Sequence, residues 1–268
     1  MSIRVAITGI GNCASALVQG IEFYKNVKTS EEVPGLMHAY FGDYHIRDIE
    51  FVAAFDVNRH KIGKDLSEAI YTGPNSCAKF ADVPLTGVKV QAGPVMDGVA
   101  PHMVDSFYVA EDHQSVDVVE ILREAEADVM VNLLPVGSAQ ATRAYAEAVL
   151  EAGCGFVNCI PEFIASDPVW AKRFKDKDLP VAGDDIKSQL GATILHRAVV
   201  ELFHERGLRG DSTYQLNIGG NTDFENMKYE DRLISKRISK TEAVKTLVPY
   251  DMPTRIGPSD YVPFMGDH

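Results

Sequence analysis

Long apolar segments are absent from this chain of 268 residues. No stretch approaches the roughly 18 consecutive apolar residues that a membrane-spanning helix requires. The first residues also lack the order of basic, then apolar, then small residues that is typical of a secretory signal peptide. These absences argue against a membrane protein and a secreted one, so the sequence predicts a cytoplasmic protein without a membrane partner.

An excess of basic residues is also missing. The chain has 26 lysines and arginines against 38 aspartates and glutamates, which gives a formal net charge of −12. Sequence-independent binding of nucleic acid depends on the neutralisation of phosphates by basic side chains, so this balance argues against a nucleic-acid partner. An anionic small-molecule substrate would need a local cluster of lysines or arginines.

Patterns of metal-binding residues are missing as well. No C-x-x-C pair occurs, and the eight histidines show no H-E-x-x-H or comparable spacing. Cys154 and Cys159 bracket an apolar segment, which is typical of buried thiols; a metal or redox role is the alternative. The sequence therefore predicts no metal ligands. The four cysteines are Cys13, Cys77, Cys154 and Cys159.

A glycine-rich turn stands close to the start of the chain. Residues 3–8 form an apolar, strand-like run, and the sequence GIGNCA follows it directly at residues 9–14. In this G-x-G-x-x-A pattern, Gly9 permits the tight turn, Gly11 lets the backbone approach a pyrophosphate, and Ala14 allows close packing of the helix. The pyrophosphate then lies on the helix N-terminus. A plain tight turn is the alternative.

An acidic residue at the end of the second predicted strand supports the nucleotide interpretation. The apolar residues 51–55 lead to Asp56, whose carboxylate can accept hydrogen bonds from both hydroxyls of a ribose. Its charge would repel a 2′-phosphate, so Asp56 favours NAD over NADP. Asp56 lies 47 residues beyond Gly9, whereas about 20 is usual. Residues 25–48 are therefore predicted to be an excursion at the sheet edge.

Beyond Asp56, apolar strand patterns alternate with helical patterns. One of the predicted helices is capped by Ser138, runs to Ala152 and stops at Gly153. Such alternation predicts right-handed crossovers and a doubly wound parallel sheet, the α/β arrangement of a Rossmann domain. Ligands of such sheets lie beyond the carboxyl ends of the strands. We therefore expect one crevice to be lined by Asp56, Pro135, Asn158 and residues 184–185.

Two domains are expected. A helical pattern over residues 192–206 is followed by a strand-like alternation at residues 212–218, where one face is apolar. We place the boundary between these two segments. Residues 1–205 are predicted to form the nucleotide-binding domain, and residues 206–268 to begin a second, α+β domain.

Residues 183–189, GDDIKSQ, carry two carboxylates, an amine, a hydroxyl and an amide. They lie at a predicted strand-to-helix junction on the ligand side of the sheet, where backbone donors are exposed. Capping of the next helix by Asp185 or Ser188 is the alternative. Capping explains one polar residue here rather than five.

Two further polar segments follow in the second domain. In GGNTD, at residues 219–223, the glycines allow a close approach and Asn221 and Asp223 can bind a hydroxylated ligand; a turn at a strand end is the alternative. In SKRISK, Lys236 and Lys240 share one helical face if the segment is helical, and like charges at that spacing are slightly destabilising. An anion between them would relieve this repulsion, and a solvated basic face is the alternative.

With these segments in view, the sequence resembles the myo-inositol-1-phosphate synthase family, in particular its shorter archaeal and actinobacterial form. The matching segments span nearly the whole chain in the expected order. They are GIGNCASALVQGIEFY, VPGLM, FVAAFDV, LLPVGS, FVNCIPEFIASDPVW, VAGDDIKSQLGATILHR, LNIGGNTDFENM, SKRISKTEAV and IGPSDYVPF.

The resemblance implies an enzyme that carries NAD on a Rossmann domain and isomerises D-glucose 6-phosphate to 1L-myo-inositol 1-phosphate, for inositol and phospholipid biosynthesis. The implied reaction is oxidation at C5, enolisation, ring closure by an aldol step and return of the hydride, so that NAD is regenerated. A lysine cluster suits the phosphate and the enolate oxygen. The resemblance also implies a homotetramer and, for this shorter class, assistance by a divalent cation.

Matched motif by motif, the resemblance implies two sets of functional residues. Substrate binding and acid–base catalysis fall to Lys187, Lys236, Lys240 and Asp223. Contact with NAD falls to Gly9, Gly11, Asn12, Cys13, Asp56, Ser138, Asn158, Ser166, Asp185 and Ser188.

The chain departs from the family pattern at its end. Members of the family continue beyond the position of residue 268 with elements that include an active-site lysine. The second domain is therefore expected to be incomplete and the chain catalytically deficient. Two alternatives to the isomerase are an NAD-dependent dehydrogenase of a small phosphorylated or hydroxylated molecule, and a non-catalytic NAD-binding fragment. The dehydrogenase would leave SKRISK and GGNTDF without a role.

Overall fold

The computed structural model describes residues 2–28 and 33–265. Short 3-10 helices cover Ile46–Asp48, Pro101–Met103, Glu230–Leu233 and Pro263–Met265. In chain order the other elements are β1 (Ile3–Thr8), α1 (Asn12–Tyr24), β2 (Tyr40–Phe41), β3 (Tyr44–His45), β4 (Ile49–Asp56), α2 (Leu66–Ala69), β5 (Val90–Ala92), α3 (Val104–Phe107), α4 (Val118–Glu124), β6 (Val129–Asn132), α5 (Ala139–Ala152), β7 (Gly155–Asn158), α6 (Pro168–Asp176), β8 (Val181–Ala182), α7 (Ala192–Glu205), β9 (Thr213–Gly219), α8 (Thr222–Asn226), α9 (Ile234–Lys245) and β10 (Thr254–Tyr261).

Six parallel strands form the main sheet, in the spatial order β5-β4-β1-β6-β7-β8. Counted along the chain, this is the order 3-2-1-4-5-6 of a dinucleotide-binding sheet. The strand order reverses between β1 and β6, and ligands of such sheets bind at this switch point. The predicted doubly wound parallel sheet is confirmed.

Apolar side chains cover both faces of this sheet. Along β1, Ala6 lies in a core with Phe156 and Tyr145, on the face covered by α4, α5 and α6. The next residue, Ile7, lies in a second core with Val18 of α1 and Leu66 of α2, on the opposite face. Alternate residues of a strand point to opposite faces, so both faces need apolar residues. The near-continuous apolar strands follow from this arrangement.

Helix α5 starts differently from the sequence prediction. Ser138 stands at the position before the helix, but its Oγ donates to the carbonyl of Pro135 at 2.6 Å. The helix is capped from a distance by Asp97, whose carboxylate accepts from the backbone N–H groups of Gln140 and Ala141 at 2.8 and 2.9 Å. The predicted cap by Ser138 is therefore wrong, whereas the predicted stop at Gly153, with φ +87°, is confirmed.

The segment between α1 and β4 packs against α1. It contains the antiparallel hairpin β2–β3, and His45 Nε2 is hydrogen-bonded to the carbonyl of Val27 at 2.9 Å. Tyr24 Oη donates to the carbonyl of Pro34 at 3.0 Å. The edge strands of the main sheet are β5 and β8, so the predicted position at the sheet edge is wrong. Residues 29–32 of this segment lie outside the described residues.

A second, smaller unit follows the main sheet. Strands β9 and β10 pair in parallel, and α8 and α9 connect them. Helix α7 contributes Val200 to a core with Val244, Val248 and Met252. By packing, α7 therefore belongs to this second unit, although it lies before the predicted boundary. None of the helices in the described residues is long and apolar enough to cross a membrane.

Candidate active site

The glycine-rich turn between β1 and α1 leaves its outer side open. Gly9 has φ +81°, and a Cβ there would lie 2.6 Å from the carbonyl oxygen of Leu133. Gly11 precedes α1, and no described atom lies within 4 Å of the position that its Cβ would take. The backbone amides at the start of α1 are therefore accessible to an anion, which fits the pyrophosphate of a dinucleotide.

Asp56, at the end of β4, lies directly against this turn. Its Oδ2 accepts from the backbone N–H of Ile10 at 2.7 Å, and its Oδ1 accepts from Val57 and Asn58, both at 2.8 Å. The 47 residues between Gly9 and Asp56 therefore do not separate them in space. Oδ1 thus uses both of its lone pairs, whereas Oδ2 keeps a second lone pair for a ribose hydroxyl. The turn and Asp56 together fit an adenosine diphosphate moiety.

The other predicted NAD contacts differ in accessibility. Asn12 Oδ1 accepts from the backbone N–H of Ser76 at 2.8 Å, and Cys13 is exposed on the first turn of α1. Ser138 and Asn158 are buried, with 0% and 1% of their surface exposed. Neither side chain offers a surface to NAD in this conformation. Their predicted role as direct NAD contacts does not fit the structure.

Asn158 instead organises the loops at the ends of β7 and β8. Its Nδ2 donates to Asp184 Oδ1 at 2.8 Å, and its Oδ1 accepts from Asn132 Nδ2 at 2.8 Å. Asp184 Oδ2 in turn accepts from the backbone N–H of Ser166 at 3.1 Å and from its Oγ at 2.6 Å. Ser166 is thus held at the rim of the crevice, with an exposed side chain.

Asp185 begins a cluster of charged residues beyond the ends of β7 and β8. Its Oδ2 accepts from Lys187 Nζ and from Ser239 Oγ, and Lys187 Nζ also donates to Ser239 Oγ at 3.0 Å. Helix α7 begins later, after Gly191, without a side-chain cap in the described structure. Capping by Asp185 or Ser188 is therefore wrong. Ser188 is exposed.

Helices α8 and α9 complete the cluster. Asp223 Oδ2 accepts from Lys236 Nζ at 2.8 Å. Asn221 caps α8, since its Oδ1 accepts from the backbone N–H groups of Asp223 and Phe224 at 3.0 and 3.1 Å. The turn at residues 219–223 thus both caps a helix and positions a carboxylate.

Lys240 lies at the centre of this cluster. Its pKa is lowered to about 8, chiefly by burial and also by the charges of Lys236 and Lys187, although Asp223 and Asp185 partly oppose the shift. All four predicted catalytic residues therefore meet at one place. The solvated basic face that the sequence left open for Lys236 and Lys240 is not what the structure has.

The charged cluster and the glycine-rich turn lie along the same edge of the sheet. The turn follows β1, and Asp185 attaches beyond β7 through a hydrogen bond from its N–H to the carbonyl of Ile160. Only β6 lies between β1 and β7. Because neighbouring strands are about 4.8 Å apart, two spacings place the features roughly 10 Å from each other along the sheet. One extended ligand can reach both.

Known proteins that are similar to this chain include several inositol-3-phosphate synthases. A family model described as myo-inositol-1-phosphate synthase matches residues 191–268. An inositol-3-phosphate synthase of Mycolicibacterium smegmatis is 54% identical over 272 residues, which cover 99% of this chain and 75% of that protein. The inositol-3-phosphate synthase of Corynebacterium glutamicum is 53% identical, with coverage of 99% and 75%.

The chain belongs to the myo-inositol-1-phosphate synthase family. It spans about three quarters of the length of these relatives. Among solved structures, a myo-inositol-1-phosphate synthase-related protein from Thermotoga maritima superposes with a TM-score of 0.73 at 27% identity, over 99% of this chain and 75% of that one.

Sequence reasoning missed a buried lysine beneath the turn of this synthase-family chain. Lys61 is 3% exposed, and its Nζ donates to the carbonyl of Ile10 at 2.5 Å. Burial lowers the pKa of Lys61, and Asp56 opposes that shift. Ile10 is therefore held on both sides, through its N–H by Asp56 and through its carbonyl by Lys61. No local pattern marks a lysine whose partner lies 51 residues away.

Two more residues at this synthase-family site were missed. Ser239 bridges Asp185 and Lys187. It lies within the SKRISK motif, directly before Lys240. Arg232 is buried and joins the second unit to the loops of the main sheet. It lies in a charged segment, EDRL, that looks like an exposed turn. A signal for Arg232 exists only in its spacing, since it lies one helical turn before Lys236.

Proposed function

We propose that this chain isomerises D-glucose 6-phosphate to 1L-myo-inositol 1-phosphate, with NAD as a cofactor that is recycled within each turnover. The observation that carries the proposal is the convergence of Lys187, Lys236, Lys240 and Asp223 beyond the ends of β7 and β8. Membership of the synthase family supports it. A dehydrogenase needs a nucleotide site and one base, and would give most of this cluster no task.

The nucleotide-binding residues fit NAD. Gly9 and Gly11 would hold the pyrophosphate at the start of α1, and Asp56 would hold the adenosine ribose. When bound, NAD supplies a hydride acceptor and then a hydride donor for one carbon of the sugar. Asn12, Cys13, Ser166, Asp185 and Ser188 remain proposed contacts of the cofactor along the same edge.

Three lysines suit an anionic substrate in a protein whose net charge is −12. Lys187 and Lys236 are each held by a carboxylate, Asp185 and Asp223 respectively. Ammonium groups that are already fixed stabilise a phosphate, or an oxygen that gains negative charge, without reorganisation during the reaction. We assign this electrostatic role to Lys187 and Lys236.

Lys240 suits proton transfer. Its pKa of about 8 lies close to physiological pH, and a catalytic acid or base works best when its pKa is near the working pH. Enolisation and ring closure each move a proton near an oxygen of the sugar. We therefore assign the removal and return of this proton to Lys240, with Lys236 beside it.

Three further features are proposed. A homotetramer is supported by the exposed apolar side chains of β9, where Tyr214, Leu216 and Ile218 are each more than half exposed. Cytoplasmic location fits four cysteines that carry thiols rather than disulfides. A divalent cation would bind mainly through the substrate phosphate, because residues 2–28 and 33–265 contain no group of three or more metal-ligating side chains.

The test is product formation from D-glucose 6-phosphate and NAD. The chain joined to the segment that members of the family carry beyond the position of residue 268 should form inositol phosphate without net accumulation of NADH, and the 268-residue chain alone should form it more slowly. Lys240→Met should form the product about 10²- to 10⁴-fold more slowly while binding NAD as tightly as the unsubstituted protein, and Lys245→Met, at the end of the same helix, should leave both the rate and NAD binding unchanged. Net NADH without a cyclic product would favour a dehydrogenase, and NAD binding without any turnover would favour a non-catalytic protein.

A further inference from the structure

Arg232 spans the junction between the two units of the fold. It lies in the 3-10 helix Glu230–Leu233 and is 6% exposed. Its Nε donates to the carbonyl of Val136 at 2.8 Å, its Nη1 to the carbonyl of Asp97 at 2.7 Å, and its Nη2 to Ser138 Oγ at 3.1 Å. One side chain therefore binds the loop after β5 and the loop after β6.

The loop after β6 is shaped to receive this side chain. Gly137 has φ +85°, and a Cβ there would lie 2.6 Å from Cβ of Arg232. Asn226 of α8 donates to the same carbonyl of Val136 at 2.9 Å. Ser138 directs its hydroxyl towards Arg232 and Pro135 instead of capping α5. The contact is therefore close and specific on both sides.

Burial of the charged guanidinium costs free energy, and a contact that only holds the two units together does not need a charge. The hydrogen-bond partners of the guanidinium are neutral carbonyls and a hydroxyl. Burial lowers the pKa of Arg232, and the charges of Asp97 and Asp223 offset only part of that shift. Apolar residues can join two packed units at equal or better stability than buried charges. An arginine offers instead five donors in a rigid fork, which fix orientation as well as distance.

Arg232 also precedes the catalytic lysines in a regular way. It lies four residues before Lys236 and eight before Lys240, in the 3-10 turn that leads into their helix. The 3-10 helix runs directly into α9. Any movement of Arg232 relative to the loop after β6 is therefore passed to both lysines.

We propose that Arg232 is a positioning residue, which fixes the lysines of α9 relative to the rim of the nucleotide crevice. The inference rests on the proposed function, because it concerns the same reaction. A displacement of about 1 Å in a reacting group can cost roughly 100-fold in rate. Arg232 thus sets how the sugar, held by Lys236 and Lys240, meets the cofactor.

The test compares Arg232→Lys and Arg232→Met with Arg255→Lys, a control on an exposed arginine of β10. In Arg232→Lys the charge remains but the fork is lost. We expect kcat to fall about 10-fold in Arg232→Lys and about 100-fold in Arg232→Met, at temperatures where all variants are folded. The affinity for NAD should stay within about threefold of wild type, because the glycine-rich turn and Asp56 are untouched. A kcat per folded molecule equal to wild type would overturn the proposal.

A second readout does not depend on turnover. The rate at which an amine reagent modifies Lys240 should rise with pH around a midpoint near 8 in wild type. If Arg232 holds α9 in place, the midpoint in Arg232→Lys should move towards the ordinary value of 10.5. A midpoint unchanged from wild type would mean that Arg232 only adds stability.

The two readouts separate this inference from the proposed function. If wild-type protein forms no inositol phosphate but the Lys240 midpoint moves in Arg232→Lys, the proposed function fails and the positioning role stands. If wild type turns over and neither kcat nor the midpoint changes in Arg232→Lys, the positioning role fails and the proposed function stands.

Discussion

The glycine-rich turn lies over a buried lysine and the charged cluster contains a partly buried one, and the charges around the two lysines differ. Lys61 lies beneath the turn, next to Asp56, and its amine is bonded to the carbonyl of Ile10. Burial lowers the pKa of both lysines. At Lys61 the charge of Asp56 opposes that shift. At Lys240 the charges of two other lysines increase the shift, and two aspartates oppose it only in part.

The comparison shows that burial alone does not make a reactive group. An amine whose hydrogen-bond donors are engaged by the backbone, and whose charge is balanced nearby, serves to hold a loop. An amine close to like charges gives up its proton more readily, because those charges lower its pKa. The negative charge of a bound anionic substrate would raise that pKa again. We therefore expect substitutions of the two lysines to have different consequences.

The largest expected effect is the loss of activity in Lys240→Met. Removal of a general acid–base group should lower kcat about 10²- to 10⁴-fold, while NAD affinity stays near that of wild type. In wild type, kcat/KM should rise with pH through about 8, as Lys240 becomes neutral and able to accept a proton. Steady-state rates between pH 6 and roughly 10 check both expectations. A flat or falling kcat/KM through pH 8 would contradict a base at this position.

The same substitution should increase stability. The folded-state pKa of Lys240 lies below its ordinary value of 10.5, so the folded protein bears the full penalty of a buried charge at and below pH 7. Lys240→Met should therefore raise the free energy of unfolding at pH 7, on the order of 2 kcal/mol. The gain should shrink above pH 8 and vanish above 10.5, where both states are neutral. Denaturant unfolding at several pH values measures this, with Lys245→Met as the control.

A smaller effect is expected at the carboxylate that faces the turn. Asp56→Ala should weaken NAD binding by about 1–3 kcal/mol, the range for hydrogen bonds to a charged group. It should also narrow the preference for NAD over NADP, because the repulsion of a 2′-phosphate is lost. Titration with both nucleotides tests this, and Asp82→Ala, on an exposed aspartate paired with Lys79, is the control. Unchanged NAD affinity in Asp56→Ala would show that Asp56 does not bind NAD.

The smallest effect is expected at Lys61. Lys61→Met leaves the carbonyl of Ile10 without its donor, so the turn should become less well fixed and NAD should bind about 10-fold more weakly. The pH dependence of kcat/KM should keep its midpoint, since Lys240 is untouched. Lys64→Met, on an exposed lysine of the same segment, is the control. A shifted midpoint of kcat/KM against pH in Lys61→Met would show that Lys61 does more than hold the turn.

Sequence patterns predicted the sheet and the turn because both arise from contiguous residues. The run from Ile3 to Thr8 and the glycines that follow are read directly along the chain, and β4 ends at Asp56 as expected. Apolar periodicity and strained turns are local properties, so a single sequence carries them. The same reasoning gave the right positions for α5 and α7 to within a residue.

Hydrogen-bond partners between distant segments were beyond the sequence. Ser138 was expected to cap α5, but Asp97 takes that task from 43 residues away, and the hydroxyl of Ser138 binds Arg232 instead. Asn158 was expected to face the cofactor, but it is buried and holds Asp184. Residue type and spacing predict that a polar group will be satisfied. Only the tertiary fold decides by which partner.

The charged cluster could be predicted from the sequence only in part. Its lysines were selected through the family resemblance, and the helical spacing of Lys236 and Lys240 was visible in the sequence. Their meeting with Lys187 depends on how α9 packs against residues 185–187, which lie beyond the end of β7, and no periodicity encodes that. The lowered pKa of Lys240 follows from this packing.

Removal and return of the hydride at one site, while the cluster moves protons, can be followed with D-glucose 6-phosphate carrying deuterium at C5. Inositol phosphate should retain the deuterium and no deuterated NADH should accumulate, as measured by mass spectrometry of product and cofactor. Deuterium recovered in released NADH, with no cyclic product, would contradict this expectation.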